Sequence, residues 1–182
     1  MERILPAGET PAIEQDRPDG PGRLAAIVED NWTSVYMLLF SMTGSTHDAE
    51  DLTQETFLRA FDRLDSFRPP ARMRSWLLRI ATNACLDLLR KRKRSKSVPL
   101  PDDLRGAAEL PGFRLEIAEE SQRLRAALGE LSETARAVFL LRVQESLSFR
   151  EIADLLGSTE QAVRWHMHHA RTRLLQRMRA GV

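Results

Sequence analysis

Apolar residues recur at intervals of three and four through most of this chain, which is the spacing of helices that bury one face. The pattern holds over residues 23–96 and again over residues 113–182, with hardly any strand signal. Residues 97–112 are instead rich in proline and acidic residues, and residues 1–22 carry four prolines and three glycines. The sequence therefore predicts an all-α protein with a disordered arm at 1–22 and two small helical domains, at 23–96 and 113–182, joined by a flexible linker at 97–112.

Residues 148–175 contain two helix-start signals that lie ten residues apart. Ser148 with Glu151, and Ser158 with Gln161, both fit the capping box in which the two side chains satisfy backbone donors at a helix start. Gly157 falls between them, where a tight turn is needed. This arrangement predicts a helix-turn-helix motif, preceded by a helix that Ser132 caps.

The second helix of this motif has an inner stripe, an outer face and two basic edges. At 100° per residue, one stripe contains Val163, Met167, Ala170 and Leu174. The opposite side, called the reading face below, contains Gln161, Trp165, His168 and Thr172. Long cationic side chains that could reach DNA phosphates flank it: Arg164 and Arg171 on one edge and Arg173 on the other. The histidines at 166, 168 and 169 lack the i, i+4 spacing of helical metal ligands, so we predict no metal site.

A second helical pattern, over residues 47–64, segregates acids from apolar residues, and Ser45 or Asp48 can cap its start. One side, called the acidic stripe below, contains Asp48, Asp51, Glu55, Leu58 and Asp62, and the other contains Ala49, Phe57, Ala60, Phe61 and Leu64. Two interpretations are open. The acids can form a solvated face, with the first of them stabilised by the positive end of the helix dipole, or they can form a docking surface for a basic partner. A catalytic acid pair is not indicated, because nothing nearby supplies a metal ligand or a nucleophile.

A third pattern, over residues 75–90, runs directly into a basic run at 91–94. Its predicted buried stripe contains Leu77, Ile80, Ala81, Ala84 and Leu88, and its opposite arc contains Trp76, Arg79, Asn83 and Arg90. An aromatic ring, guanidinium groups and an amide on one face suit nucleic acid, through stacking and base-edge contacts. The alternative is that Trp76 is a core residue and the basic run is solvated. Residues 68–74 are predicted to form a stiff, basic, non-helical wall beside this face.

Charge is strongly segregated, although the formal net charge of the chain is only +1. Residues 29–65 hold eight acids and two bases, whereas residues 72–96 hold nine bases and one acid. This separation predicts two different partners. The single cysteine, Cys85, fits a reducing compartment, and neither a membrane span nor a signal peptide is indicated, so the sequence predicts a cytoplasmic protein without membrane contact.

Three motifs, in order and at the right spacing, carry a family resemblance: DAEDLTQETFLRAFDRLDSF, RSWLLRIATNACLDLLRKRKR and LSETARAVFLLRVQESLSFREIADLLGSTEQAVRWHMHHARTRL. Together they resemble an extracytoplasmic-function (ECF) sigma factor of bacterial RNA polymerase, in the sigma-70 family, over about residues 23–178. The resemblance implies an alternative sigma factor that binds core polymerase and directs promoter-specific transcription initiation. It implies contacts with the beta-prime clamp helices and the beta flap, promoter DNA as the second partner, and an anti-sigma factor as inhibitor. Neither a catalytic residue, a cofactor nor a small-molecule substrate is expected.

The resemblance also assigns residues to each partner. The clamp-helix surface would be Asp48, Glu50, Asp51, Gln54, Glu55 and Phe57. The minus-ten contacts would be Arg68, Arg72, Arg74, Ser75, Trp76, Arg79, Asn83 and Arg90, with the first part of this set lining a pocket for a flipped base. The minus-thirty-five contacts would be Arg150, Thr159, Gln161, Arg164, Trp165, His168 and Arg171.

The chain departs from the common family pattern at three positions. Met73 stands where an aromatic residue is frequent. In the second helix of the helix-turn-helix motif, Trp165 replaces a small polar residue and His166 replaces an arginine. An indole on the reading face can contact thymine methyl groups but cannot accept a hydrogen bond, and it can instead pack on another protein.

Two other classes of function compete with this one. A free-standing helix-turn-helix regulator would use its N-terminal helices for dimerisation or effector sensing, and would bind palindromic duplex without polymerase. An enzyme is disfavoured, because the chain offers neither a phosphate-cradling glycine loop, nor metal-spaced ligands, nor a nucleophile with a base.

Overall fold

A computed structural model describes residues 21–64, 73–95 and 115–179, and within these ranges all regular secondary structure is helical. The seven helices are α1 (Pro21–Thr43), α2 (Thr46–Phe61), α3 (Met73–Ser95), α4 (Leu115–Gly129), α5 (Glu133–Val143), α6 (Phe149–Leu156) and α7 (Glu160–Arg179). The predicted all-α class is confirmed. The predicted linker at 97–112 lies outside the described residues, as does the predicted arm except for its last two residues, which form the start of α1.

Helices α1, α2 and α3 pack against one another and form what we call the first domain. Its core is built from side chains of all three helices, including Leu38, Leu39, Met42, Ala49, Leu77, Leu78 and Ala81. The predicted cap of α2 is confirmed, because the Ser45 hydroxyl accepts a hydrogen bond from the backbone N–H of Asp48, at 3.2 Å. In α3, Leu77, Ala81 and Ala84 are buried as predicted, and Ile80 and Leu88 are half-buried against the same core.

In the second domain, formed by α4 to α7, the long helix α7 packs against each of the other three helices. Ser132 caps α5 as predicted, accepting from the backbone N–H of Ala135. Val163, Ala170 and Leu174 are buried and Met167 is half-buried, which confirms the predicted inner stripe of α7. The reading face consequently points away from the core of this domain.

Helices α6 and α7 form the predicted helix-turn-helix motif. The capping box of Ser148 and Glu151 has both of its hydrogen bonds, and Gly157 adopts the left-handed conformation (φ 61°) that ends α6. The predicted second capping box, of Ser158 with Gln161, is wrong. The backbone N–H of Ser158 closes the end of α6 on the carbonyl of Ala153, so α7 begins later and the Thr159 hydroxyl caps it.

The prediction that residues 68–74 are non-helical is wrong for the last two of them. Residues 65–72 lie outside the described part of the chain, but Met73 and Arg74 form the first turn of α3. The last proline of the segment is Pro70, so from Ala71 onward no residue lacks the backbone N–H that a helix needs.

The two domains also contact each other: α5 packs against α1 and α3, and α6 packs against α3. This contact was not predicted from the sequence. In the part of the chain that the structure describes, none of the helices is both long and apolar enough to cross a bilayer.

Candidate protein and nucleic-acid interfaces

The acidic stripe of α2 is exposed over most of its length. Asp51, Leu58 and Asp62 are exposed, and the side chain of Leu58 is 65% accessible. Glu55 is half-buried and pairs with Arg59 one turn further on, at 2.6 Å between Oε1 and Nη2. Glu50 and Gln54, which the resemblance added to this surface, are exposed as well. A large apolar side chain among accessible carboxylates suits a partner that is basic with an apolar centre.

Asp48 and Phe57, also predicted to contact polymerase, are buried inside the first domain. The Asp48 carboxylate accepts two hydrogen bonds from the Arg92 guanidinium of α3, which hold the pKa of Asp48 below its ordinary value. The ring of Phe57 stacks on Trp32 of α1, with centroids 5.7 Å apart, and contacts Phe61. In this structure both residues position α2 from the inside, so the accessible part of the predicted surface is Glu50, Asp51, Gln54 and Glu55.

The predicted minus-ten face of α3 is mainly accessible. Arg79, Asn83 and Arg90 are exposed, and Arg90 also pairs with Asp87 at 3.3 Å. Trp76 is half-buried and packs against the hydrophobic core, so its indole belongs partly to the core and partly to this face. Ser75 is half-buried and Arg74 is exposed, whereas Arg68 and Arg72 lie outside the described residues. The basic run that follows is not uniformly solvated, because Arg92 is the partner of Asp48.

Every residue of the predicted minus-thirty-five set is exposed on the helix-turn-helix motif. Trp165 is 62% accessible, which is unusual for so large an apolar side chain. Its indole stacks on the His169 imidazole, one turn away, with centroids 5.5 Å apart and planes 23° apart, and meets His166 edge-on. The stack fixes the orientation of the indole while leaving much of its surface open to a ligand.

A groove of about 450 Å³ runs between the start of α6 and α7, lined by Phe149, Arg164, Met167, His168, Arg171, Thr172 and Leu175. The ring of Phe149 lies beneath two guanidinium groups, those of Arg164 at 4.6 Å and Arg142 at 5.2 Å from the ring centroid. Glu160 further fixes Arg164 through bonds of 3.1 and 2.5 Å. Such cation–π contacts place the positive charge beside the groove.

Arg142 was not singled out from the sequence. Its guanidinium also donates to the carbonyl of Leu147, at 2.8 Å, and so braces the turn before α6. The sequence gives one local signal for this residue: a positive charge in the last turn of α5 interacts favourably with the helix dipole. That signal does not indicate the contact of Arg142 with Phe149.

The fold and these surfaces define a two-domain helical protein whose second domain presents a helix-turn-helix motif with basic edges. Residues 27–95 match the family model for sigma-70 region 2, and residues 121–174 match that for sigma-70 region 4. The chain is 34% identical to the ECF RNA polymerase sigma factor SigM of Bacillus subtilis over 81% of its own length and 90% of SigM. It belongs to the ECF sigma factor family.

Two further proteins illustrate the likeness. The chain is 39% identical to the ECF RNA polymerase sigma factor SigE of Mycolicibacterium smegmatis over 81% of its own length, but it spans only 58% of the length of SigE. Its fold resembles that of the sigma factor RpoE from Bartonella quintana, solved in complex with the anti-sigma factor NepR, with a TM-score of 0.69 over 87% of this chain and 95% of RpoE, at 23% identity.

Proposed function

We propose that this protein is an alternative sigma factor of the ECF type, which binds core RNA polymerase and directs it to promoters through their minus-ten and minus-thirty-five elements. The observation that carries the proposal is the presence of region 2 and region 4 in one chain, each with an accessible surface of the charge its partner requires. Because core polymerase works in the bacterial cytoplasm, the proposal places the protein there.

Core polymerase would bind the exposed part of the acidic stripe. Glu50, Asp51, Gln54 and Glu55 would face the clamp helices of the beta-prime subunit, with the accessible Leu58 at the centre of the contact. Asp48 and Phe57 would contribute indirectly, by fixing α2 against α3 and α1. Interfaces commonly combine such an apolar centre with a charged rim that sets orientation and association rate.

The face of α3 would bind the minus-ten element as single strand. Arg79, Asn83 and Arg90 lie accessible on one side of the helix, and Arg74, Ser75 and Trp76 lie at its start. Opening the duplex costs a few kcal/mol per unstacked base, which stacking and backbone contacts on the separated strand can offset. This activity needs binding groups only, so no catalytic residue, cofactor or small-molecule substrate is required.

The reading face of α7 would enter the major groove at the minus-thirty-five element. Gln161, Trp165 and His168 would meet base edges, while Arg150, Thr159, Arg164 and Arg171 would meet phosphates on the groove walls. The same domain would contact the beta flap. Two modest DNA contacts on one tethered chain can exceed either alone by ~10²–10⁴ through effective concentration.

We further propose that an anti-sigma factor controls this protein. Support comes from the family, and RpoE of Bartonella quintana, whose fold this chain shares, forms such a complex with NepR. An inhibitor that covered the acidic stripe or clamped the two domains together would block both polymerase and promoter contacts.

The deciding experiment combines purified chain with core polymerase, first in gel filtration and then in run-off transcription on a library of genomic promoter fragments. We expect co-elution with core, promoter-dependent transcripts and little DNA binding by the chain alone. Tight binding of a palindromic duplex by a dimer without polymerase would support the free-standing regulator instead. Failure to co-elute with core would reject the sigma-factor proposal.

A further inference from the structure

The two domains meet at a buried carboxylate. Glu145 lies in the turn between α5 and α6, and its side chain is only 2% exposed. Its Oε2 atom accepts a hydrogen bond from the Ser34 hydroxyl of α1, at 2.7 Å, and another from Arg74 Nη2 of α3, also at 2.7 Å. Arg74 Nη2 lies 3.2 Å from the Ser34 hydroxyl oxygen as well, so the three groups form a closed triangle. A charge this well buried is tolerated only because donors of the other domain satisfy it.

A second contact ties the same two domains at the ends of their helices. Arg136 of α5 donates from Nη1 to the carbonyl of Met42, near the end of α1, at 2.6 Å. Its Nε donates to the carbonyl of Leu128 in the last turn of α4, at 2.9 Å. Carbonyl groups at helix ends lack intrahelical partners, so one guanidinium satisfies acceptors of both domains. The domain contact is therefore specific and hydrogen-bonded, not merely apolar.

Arg74 has two competing uses. It belongs to the proposed minus-ten contacts, yet in this structure its guanidinium is held by Glu145. Guanidinium groups bind carboxylates and phosphates with the same donor fork, so one arginine cannot serve both anions fully at once. The Arg74 side chain remains 57% exposed at the edge of the contact, and a phosphate can approach it there.

We propose that the contact of Glu145 with Arg74 and Ser34 is an autoinhibitory latch, closed in the free protein, in which a carboxylate of the second domain takes the place of a DNA phosphate. This inference rests on the proposed function. The closed form holds region 4 against region 2, whereas spanning two promoter elements requires the domains to separate. Core polymerase, by binding each domain at its own site, opens the latch and releases Arg74 for the minus-ten strand.

The latch predicts that free protein binds single-stranded DNA weakly, because only its open fraction is competent. Glu145→Gln keeps the side-chain size but removes the charge that holds Arg74. We expect the variant to show a larger radius of gyration in small-angle X-ray scattering. We also expect about tenfold tighter binding of a labelled random-sequence single-stranded oligonucleotide at ~50 mM salt, a condition that preserves phosphate contacts. The matched control is Glu130→Gln, which removes a carboxylate paired with Arg177 at 2.8 Å inside the second domain and should change neither quantity.

Two further variants keep the test decisive. Ser34→Ala removes one donor to Glu145 and one acceptor of Arg74, and it leaves every proposed binding residue itself unsubstituted. We therefore expect it to shift both quantities in the same direction as Glu145→Gln, but by less. Adding Arg74→Gln to Glu145→Gln should abolish the gain in DNA affinity while the radius of gyration stays large. Wild-type dimensions and DNA affinity in both Glu145→Gln and Ser34→Ala would overturn the latch, as would a gain that persists without Arg74. If Glu145→Gln loses its helical circular dichroism, the variant is unfolded, and the result for Ser34→Ala alone then supports or overturns the latch.

These readouts do not involve polymerase, so the two proposals can fail separately. A wild-type chain that transcribes with core, while its latch variants remain closed, would reject the latch and keep the sigma function. A wild-type chain that never binds core would reject the sigma function, whatever the latch variants show.

Discussion

The Arg92 guanidinium of α3 donates two hydrogen bonds to the Asp48 carboxylate of α2, from Nη1 to Oδ2 at 2.5 Å and from Nη2 to Oδ1 at 2.7 Å. The Asp48 side chain is 7% exposed and that of Arg92 is 39% exposed, so the pair lies at the edge of the core. The same carboxylate begins the acidic stripe, and Arg92 belongs to the basic run. Asp48 of the acidic stripe and Arg92 of the basic run therefore bind each other and join α2 to α3. The other charged residues of the two segments are the ones left to contact polymerase or DNA.

Replacing Asp48 with asparagine should destabilise the first domain. The change leaves the Arg92 guanidinium facing a neutral amide and weakens two charge-assisted hydrogen bonds, which we expect to cost about 2 kcal/mol in the free energy of unfolding. Urea unfolding of the full chain measures it. Asp87→Asn is the matched control, because Asp87 pairs with Arg90 on the exposed surface of α3 and should cost much less. Equal losses in the two variants would contradict this account.

The same pair predicts a pH dependence with a definite sign. Hydrogen bonds from Arg92 lower the pKa of Asp48 in the folded protein, so the carboxylate stabilises the fold wherever it is ionised in both states. This stabilisation is complete above the pKa of an unfolded aspartate and is lost as the pH falls through the lower folded pKa. The difference in unfolding free energy between wild type and Asp48→Asn should therefore shrink on acidification. A difference that grows at acid pH would show that Asp48 is not the stabilised group.

Charge reversal of the accessible acidic stripe should abolish polymerase binding without unfolding the chain. Asp51 is exposed, and Glu55 makes only a surface pair with Arg59, so Asp51→Arg with Glu55→Arg should alter stability little. It should remove co-elution with core polymerase. The control is Glu29→Arg with Asp30→Arg, which makes the same net charge change at exposed acids of α1. If both double variants lost core binding equally, total charge and not the stripe would be the cause.

The helices were predictable from sequence because their apolar spacing and their caps are local signals. Ser45, Ser132 and Ser148 each cap the helix that follows. Long-range pairing is a different matter, since nothing in local spacing indicates that Asp48 meets Arg92 or that Glu145 meets Arg74, 71 residues away. A helical wheel also places Asp48 with the exposed acids, because it does not record which neighbouring helix covers the first turn.

Asn83 should determine selectivity at the minus-ten element. Its amide is exposed on α3 between Arg79 and Arg90, and an amide can both donate to and accept from a base edge. Asn83→Ala should leave co-elution with core unchanged while reducing discrimination between a preferred and a substituted minus-ten element by about tenfold in run-off transcription. Ser95→Ala, an exposed polar change at the end of the same helix, should preserve both. A uniform loss of transcription on all promoters would instead show that Asn83 contacts the DNA backbone and not a base edge.

Trp165 should read a thymine methyl group in the minus-thirty-five element. The indole is 62% exposed, lies in the second turn of α7 and is oriented by its stack on His169, so it presents an ordered apolar surface where base edges enter. Once the promoters are known from run-off transcription, each thymine of the element can be replaced singly by deoxyuridine, which removes only the methyl group. One replacement should weaken holoenzyme binding about fourfold, the order expected for losing one buried apolar carbon.

The same replacement should have no effect on the Trp165→Ala variant, because the methyl group then has no indole to contact. Met178→Ala, at an exposed apolar position near the far end of α7, serves as the control and should keep the wild-type response to deoxyuridine. A Trp165→Ala variant that still responds at the same thymine would assign the methyl contact to another side chain. If no deoxyuridine substitution weakens wild-type binding while Trp165→Ala abolishes transcription, the indole packs against a protein surface of the polymerase instead.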